Sequence, residues 1–103
     1  MRKADVSVHC VRAGILEEIE KGKRYVFTYD DEYRGDPISL TMPVQEKRYE
    51  FDTFPPFFEG LLPEGIQLEG LLRMNKIDAH DFFSQLASVG ADMVGAVTVK
   101  KVS

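Results

Sequence analysis

Histidine and cysteine are the side chains that most often act as nucleophiles, general bases or metal ligands, and this chain has three of them: His9, Cys10 and His80. Neither histidine has a second histidine or cysteine at metal-site spacing, so we expect no metal. We place His9 on the polar side of a strand, Cys10 on its apolar side as a buried small hydrophobe, and His80 in the first turn of a helix. Nothing in this pattern supports a Cys/His catalytic pair.

Glycine and carboxylate patterns give no stronger sign of catalysis. Gly60, Gly65 and Gly70 are five residues apart, which fits neither a dinucleotide-binding nor a Walker-type loop. Asp81-Phe82-Phe83 lacks the glycine of the kinase Asp-Phe-Gly motif, and no catalytic-loop motif accompanies it. We interpret Asp30-Asp31 and Glu17-Glu18 as surface charge, with glycosidase-type chemistry as the alternative. The residues alone predict a binding or structural domain, not an enzyme, with no cofactor.

The composition is that of a single globular domain covering residues 1–103, with 44% hydrophobic and 29% charged residues. Thirteen basic and 17 acidic side chains give a net charge of -4, which argues against direct nucleic-acid binding. Residues 30–81 carry the acidic excess, which is either a solvated face or a surface matched to a basic cleft on a partner. No apolar run approaches the roughly 20 residues of a membrane span, and the single cysteine fits a reducing compartment. We therefore expect a cytoplasmic protein.

The first half of the chain predicts strands. Alternating or β-branched and aromatic runs indicate five short strands before residue 52, at 5–10, 15–20, 24–29, 38–42 and 48–51. Ala13-Gly14 indicates a bend or bulge, and Lys21-Gly22-Lys23 a tight turn in which Gly22 takes a positive φ. The last two strands are expected to pair with each other. Short connections favour antiparallel pairing.

The second half predicts three helices and a final strand. Pro55 or Pro56 begins a short helix that carries Phe57, Phe58, Leu61 and Leu62. Residues 67–75 form a second helix, and Asp78 caps a third, which Gly90 ends. Residues 94–99 form a strand that rejoins the sheet. The predicted fold class is α+β, a mostly antiparallel sheet with about three short helices packed on one face.

Three segments carry a resemblance to a known family: Phe54–Gly65, Leu68–Arg73 and Val89–Val97. They contain a Phe-rich stretch with Leu-Leu-Pro-Glu-Gly, a Leu-rich helix, and a Gly-x-Asp-x-x-Gly-Ala turn into a strand. This series resembles the N-terminal subdomain of HipA-type serine/threonine kinase toxins. The resemblance covers nearly the whole chain.

Because the sequence ends soon after the final strand, it resembles the HipS antitoxins, the small members of three-component HipBST toxin–antitoxin systems. The resemblance implies an antitoxin that binds and inhibits a shortened kinase toxin, HipT. It also implies a HipB-like helix-turn-helix protein in the same complex, which handles the DNA, and no membrane contact. The alternative is a non-inhibitory module that stabilises the kinase or links it to the HipB-like partner.

The resemblance also places the kinase-binding residues around the loop that follows the phenylalanine cluster. They are Glu59, Leu61, Leu62, Pro63, Glu64, Gly65 and Ile66. This loop could obstruct the active-site cleft. Some related chains carry a large aromatic residue in the loop, whereas this sequence has Gly65 and Ile66, so the obstructing role would pass to Ile66. Alternatively, the domain could hold the kinase in an unproductive arrangement. Most leucines of residues 61–72 are expected to be core, with Leu61 and Leu62 partly exposed.

Overall fold

The computed structural model describes residues 2–62, 65–89 and 96–102. It contains four strands, then three helices, then a fifth strand. The strands are β1 (Arg2–Val8), β2 (Val11–Glu20), β3 (Arg24–Tyr29), β4 (Arg48–Phe51) and β5 (Val97–Lys101), and the helices are α1 (Pro56–Glu59), α2 (Gly65–Asn75) and α3 (Phe82–Val89). The predicted α+β class is confirmed.

The strands form one antiparallel sheet in the order β4-β3-β2-β1-β5. Hairpins join β1, β2 and β3, and β5 returns to pair with β1, as predicted. The register between β1 and β2 shifts at Ala13, because Val6 faces Gly14 while Ser7 faces Arg12. The predicted irregularity at Ala13-Gly14 is therefore a β-bulge.

The turn between β1 and β2 corrects two predictions. Val8 pairs with Val11, so His9 and Cys10 form a two-residue turn and not the end of a strand. Both residues have positive φ, 51° and 67°, as a type I′ hairpin turn requires. Cys10 is consequently exposed and not buried. The predicted turn at Gly22 is confirmed, with a φ of 71°.

The core lies between the sheet and the helices. The inner face of β3 contributes Tyr25, Phe27 and Tyr29, and α1 and α3 contribute Phe58 and Phe83. Aromatic edges meet aromatic faces here: the rings of Phe27 and Tyr29 lie 4.8 Å apart at 85°. Alternate residues of β3 point inward, and in α3 the buried Phe83 and Leu86 are three residues apart and therefore share one face.

The predicted strand 38–42 is wrong. This segment makes a single bridge, between Ser39 and Met42, so it is a tight turn. β4 pairs with β3 instead, and four strands lie between residues 2 and 51 where five were predicted. Of the three alternating apolar residues, Ile38 and Met42 are buried at the base of the turn, whereas Leu40 is exposed.

The helix starts are partly as predicted. Pro56 is the first residue of α1, where its missing N–H has no helical partner to lose. The cap of α3 is Asp81 and not Asp78: Asp81 Oδ1 accepts the Ser84 N–H at 3.2 Å. Asp78 instead accepts the N–H of His80 at 2.7 Å, so His80 lies in a turn before the helix. Gly90, predicted to end α3, and residues 94 and 95, predicted to open the last strand, lie outside the described residues.

Candidate functional site

The predicted partner-binding residues begin at the end of α1. Glu59 is its last residue and is exposed. The N–H groups of Leu61 and Leu62 bond to the carbonyls of Phe58 and Glu59, both at 3.1 Å, so the chain continues as a turn. Both leucines are half-buried and pack against the core. They are partly exposed, as predicted, and their contacts with the core hold the end of α1 and the following turn against the domain.

The same segment continues into α2. Pro63 and Glu64 lie outside the described residues, and Gly65 is the first residue of the helix. Ile66 is 86% exposed in the first turn. Leu68 and Leu72, expected to be core, are half-buried because α2 is covered by its neighbours on one side only.

The exposed side of α2 carries more apolar side chains than the sequence predicted. Ile66, Gly70 and Met74 are four residues apart and therefore lie above one another on the helix. Met74 is 84% exposed, and a Cβ at Gly70 would meet no atom within 4 Å. Exposure of Met74 was not predicted, although its spacing from Ile66 is visible in the sequence. The helix thus presents two apolar side chains with an open position between them.

A polar network joins α3 to the sheet. The guanidinium of Arg2 forms two hydrogen bonds with Glu18, at 2.7 and 2.9 Å, and two with Asp81, at 2.9 and 3.2 Å. It also donates to Ser84 at 2.8 Å and lies 4.9 Å from the ring centre of Phe83. Such forked contacts fix both position and orientation. Arg2 therefore holds the capped end of α3 on β1 and β2.

Burial and charge set the pKa values in this network. Glu18 is 4% exposed, so its reading as surface charge is wrong. Burial alone would raise its pKa, but hydrogen bonds and charge from Arg2 outweigh this and lower it. In the same way, hydrogen bonds from Arg2 and Ser84 overcome burial and lower the pKa of Asp81 to about 2. Burial and the carboxylate of Glu18 raise the pKa of Tyr25 to about 12.

The network is a structural clamp, since each charge in it is satisfied by a neighbour and none is left to act on a substrate. In residues 2–62, 65–89 and 96–102, no three histidine, cysteine or carboxylate side chains group in a way that could hold a metal ion. The same residues contain no helix long and apolar enough to cross a bilayer. The exposed side chains of Glu59, Ile66, Glu69 and Met74 are the candidate site, because exposed apolar groups bordered by carboxylates are typical of a surface that binds another protein.

Comparisons with known proteins identify the domain. A Haemophilus influenzae protein of uncharacterized function is 32% identical over 101 residues, which cover 98% of this chain and 93% of that protein. A solved structure described as the N-terminal domain of HipA toxin superposes with a TM-score of 0.78 at 29% identity, over all of this chain and 94% of that one. The family model of the HipA N-terminal domain matches residues 4–100. The resemblance inferred from the sequence is thereby confirmed, and the chain belongs to the HipA N-terminal domain family.

Proposed function

We propose that this protein is an antitoxin that binds a HipA-like serine/threonine kinase toxin of the HipT type and inhibits it. The observation that carries the proposal is the family match over residues 4–100. A domain that forms part of a HipA toxin has a surface suited to the remainder of such a toxin, because domains of one chain pack through complementary interfaces. A chain of this family is expected to retain that surface.

The exposed segment supports a protein–protein contact. Ile66 is 86% exposed next to Leu61 and Leu62, which are anchored in the core. Burying an isoleucine side chain contributes about 1.5–3 kcal/mol, enough to make it a main determinant of binding. Glu59 and Glu69 are also exposed and could meet basic residues of the kinase that normally hold phosphates. Ile66 would enter the cleft, and the glutamates would border it.

The remaining roles follow from the same proposal. The chain itself is not an enzyme and needs no cofactor. It acts in the cytoplasm in a complex in which a HipB-like helix-turn-helix protein contacts DNA. The net charge of -4 suits contact with the kinase better than contact with nucleic acid.

Co-expression with a HipT-type kinase tests this proposal. The chain should restore growth, co-purify with the kinase and reduce its autophosphorylation in an assay with purified components. A stable complex with full kinase activity would contradict inhibition and support the alternative, a non-inhibitory module that stabilises the kinase or links it to the HipB-like partner. Absence of both rescue and complex would remove the antitoxin function.

Replacing Ile66 with alanine should weaken inhibition of the kinase about tenfold, because most of the apolar area that Ile66 contributes is lost. The readout is the concentration of the chain that halves autophosphorylation. Val102→Ala is the control: Val102 is an apolar residue that is 49% exposed directly after β5, outside the segment from Glu59 to Met74. Equal values for Ile66→Ala, Glu64→Ala and the unmodified chain would argue against obstruction of the cleft by this segment.

A further inference from the structure

Leu40 is the most exposed large apolar side chain among the described residues, at 97%. It lies in the connection between β3 and β4, residues 30–47, which we call the β3–β4 loop. Single exposed leucines are common and need no explanation when the chain around them is loose. Leu40 differs because the turn that carries it is tightly bonded.

Four hydrogen bonds close the turn around Leu40. The Met42 N–H donates to the Ser39 carbonyl at 3.0 Å, and the Thr41 N–H donates to Ser39 Oγ at 3.3 Å. The hydroxyls of Ser39 and Thr41 are 3.0 Å apart. The fourth bond lies below the turn: the hydroxyl of Tyr29, a core residue, donates to the Met42 carbonyl.

The base of the turn is fixed to the core. Tyr29 Oη also accepts the N–H of Ile38 at 3.0 Å, so one buried hydroxyl joins both ends of the turn. Ile38 and Met42 are themselves buried. The backbone that carries Leu40 is therefore held in place before any partner arrives, and binding through Leu40 has little backbone entropy to lose.

The loop around Leu40 is acidic. Residues 30–47 contain five carboxylates and two basic residues, Arg34 and Lys47, for a net charge of -3. Arg34 donates to the carbonyls of Asp31 and Tyr33, and Asp30 is paired with Arg12. The exposed carboxylates of Asp31, Glu32 and Asp36 form no ion pair within residues 2–62, 65–89 and 96–102.

An open groove of about 870 Å³ runs between this loop and the turn that joins β1 and β2. Its lining includes the exposed side chain of Val11 and, against the two arginines Arg12 and Arg34, four carboxylates: Asp30, Asp31, Glu32 and Asp36. An arginine or lysine can lay its aliphatic stem on an apolar residue while its charged head meets carboxylates. The groove is therefore suited to basic side chains of a partner.

We propose that the β3–β4 loop is a second docking element, with Leu40 inserting into an apolar pocket rimmed by Arg and Lys on the kinase. This inference rests on the proposed function and adds a separate contact to the one at Ile66. A second copy of this chain is the disfavoured occupant, because a symmetric contact would bring two loops of charge -3 together.

The test is the dissociation constant, measured by calorimetry, between the purified chain and a catalytically inactive HipT-type kinase. Leu40→Ser should weaken binding about tenfold, since burial of the leucine is lost. Val102→Ser is the control: Val102 is 49% exposed and bonds through its N–H to Lys3, at the other end of β1. The affinity of Val102→Ser should match that of the unmodified chain. Both variants should have the melting temperature of the unmodified chain.

The outcomes separate this inference from the proposed function. Equal affinity of Leu40→Ser and the unmodified chain would overturn the docking element and leave the antitoxin intact. Failure of the unmodified chain to bind would overturn both. A dimer of the chain alone that Leu40→Ser dissolves, with kinase binding unchanged, would assign Leu40 to self-association and also overturn the inference.

The basic rim is tested separately. The double variant Asp31→Asn/Glu32→Gln should slow association several-fold and make the affinity less sensitive to salt, because steering by charge is screened by ions. Glu20→Gln, an exposed carboxylate beside the turn at Gly22, is the matched control. An unchanged salt dependence in the double variant would exclude a basic rim.

Discussion

Replacing Arg2 with methionine should lower the free energy of unfolding by about 3 kcal/mol, the cost of leaving a buried charge without its partner. Glu18 is 4% exposed, and Asp81 caps α3, so neither carboxylate can turn fully to water when the guanidinium is removed. Methionine can still lie against the ring of Phe83, but it has neither the charge nor the hydrogen-bond donors of the guanidinium. Urea unfolding monitored by circular dichroism measures the change.

Arg12→Met is the matched control, because Arg12 also bonds two carboxylates, those of Asp5 and Asp30. Its side chain is 47% exposed, and exposed ion pairs contribute about 0–1 kcal/mol. Burial is thus the main difference between the two substitutions. Equal losses of stability in both variants would show that the Arg2 network is not the clamp described above.

The same network predicts how stability changes with pH. The pKa of Asp81 is about 2 in the folded protein against an ordinary value of 3.8, so its contribution is present above that ordinary value and is lost as pH falls toward 2. The lowered pKa of Glu18 acts in the same direction. The unmodified chain should therefore lose about 2 kcal/mol from Asp81 alone between pH 5 and pH 2.

The Arg2→Met variant should respond less to acid, and the difference between the two proteins should shrink as pH falls. Without Arg2, burial raises the pKa of Glu18, and protonation then relieves the buried charge. Unfolding midpoints in urea between pH 7 and pH 3 give the comparison. Parallel curves for the two proteins would exclude the proposed coupling.

Local signals predicted the elements that depend on local chemistry. β3 runs from Arg24 to Tyr29 as its β-branched and aromatic residues indicated, the turn at Gly22 has its positive φ, and α1 begins at Pro56. In each case one residue type, or a continuous run, determines the backbone conformation. Neighbouring residues along the chain suffice for such features.

The errors share one cause, which is contact between residues far apart in sequence. The segment 38–42 alternates like a strand, but Tyr29 closes it into a turn. Glu18 follows another glutamate and looked solvent-exposed, yet the sheet register places it beside Arg2, and α3 brings Asp81 to the same point. Asp78 and Asp81 are both good caps, and only the fold selects Asp81.

In the candidate site, too, the sequence indicated some residues, and others became evident only from the fold. Ile66 was named through the family resemblance, and the structure places it on the surface. Leu40 and Met74 were not singled out, because exposure of an apolar residue depends on what the rest of the chain leaves uncovered. Leu40 in particular looked like an alternate residue of a strand.

Replacing Gly14 with alanine should lower the free energy of unfolding by about 3 kcal/mol, at the upper end of the cost of overpacking. A Cβ at this position would lie 2.2 Å from the carbonyl oxygen of Thr28 and 2.9 Å from the Cα of Tyr29. Both atoms belong to the backbone of β3, which is held between β2 and β4. The strand therefore cannot move aside without breaking pairing with one neighbour.

Gly70→Ala is the control, and its expected effect has the opposite sign. A Cβ there meets no atom within 4 Å, and alanine favours a helix over glycine by about 0.5–1 kcal/mol. Thermal unfolding of both variants compares them directly, and the yield of soluble protein covers the case in which Gly14→Ala does not fold. A Gly14→Ala variant as stable as the unmodified chain would contradict the close approach of β2 and β3 at Gly14. Only a wider spacing between these strands would admit the methyl group.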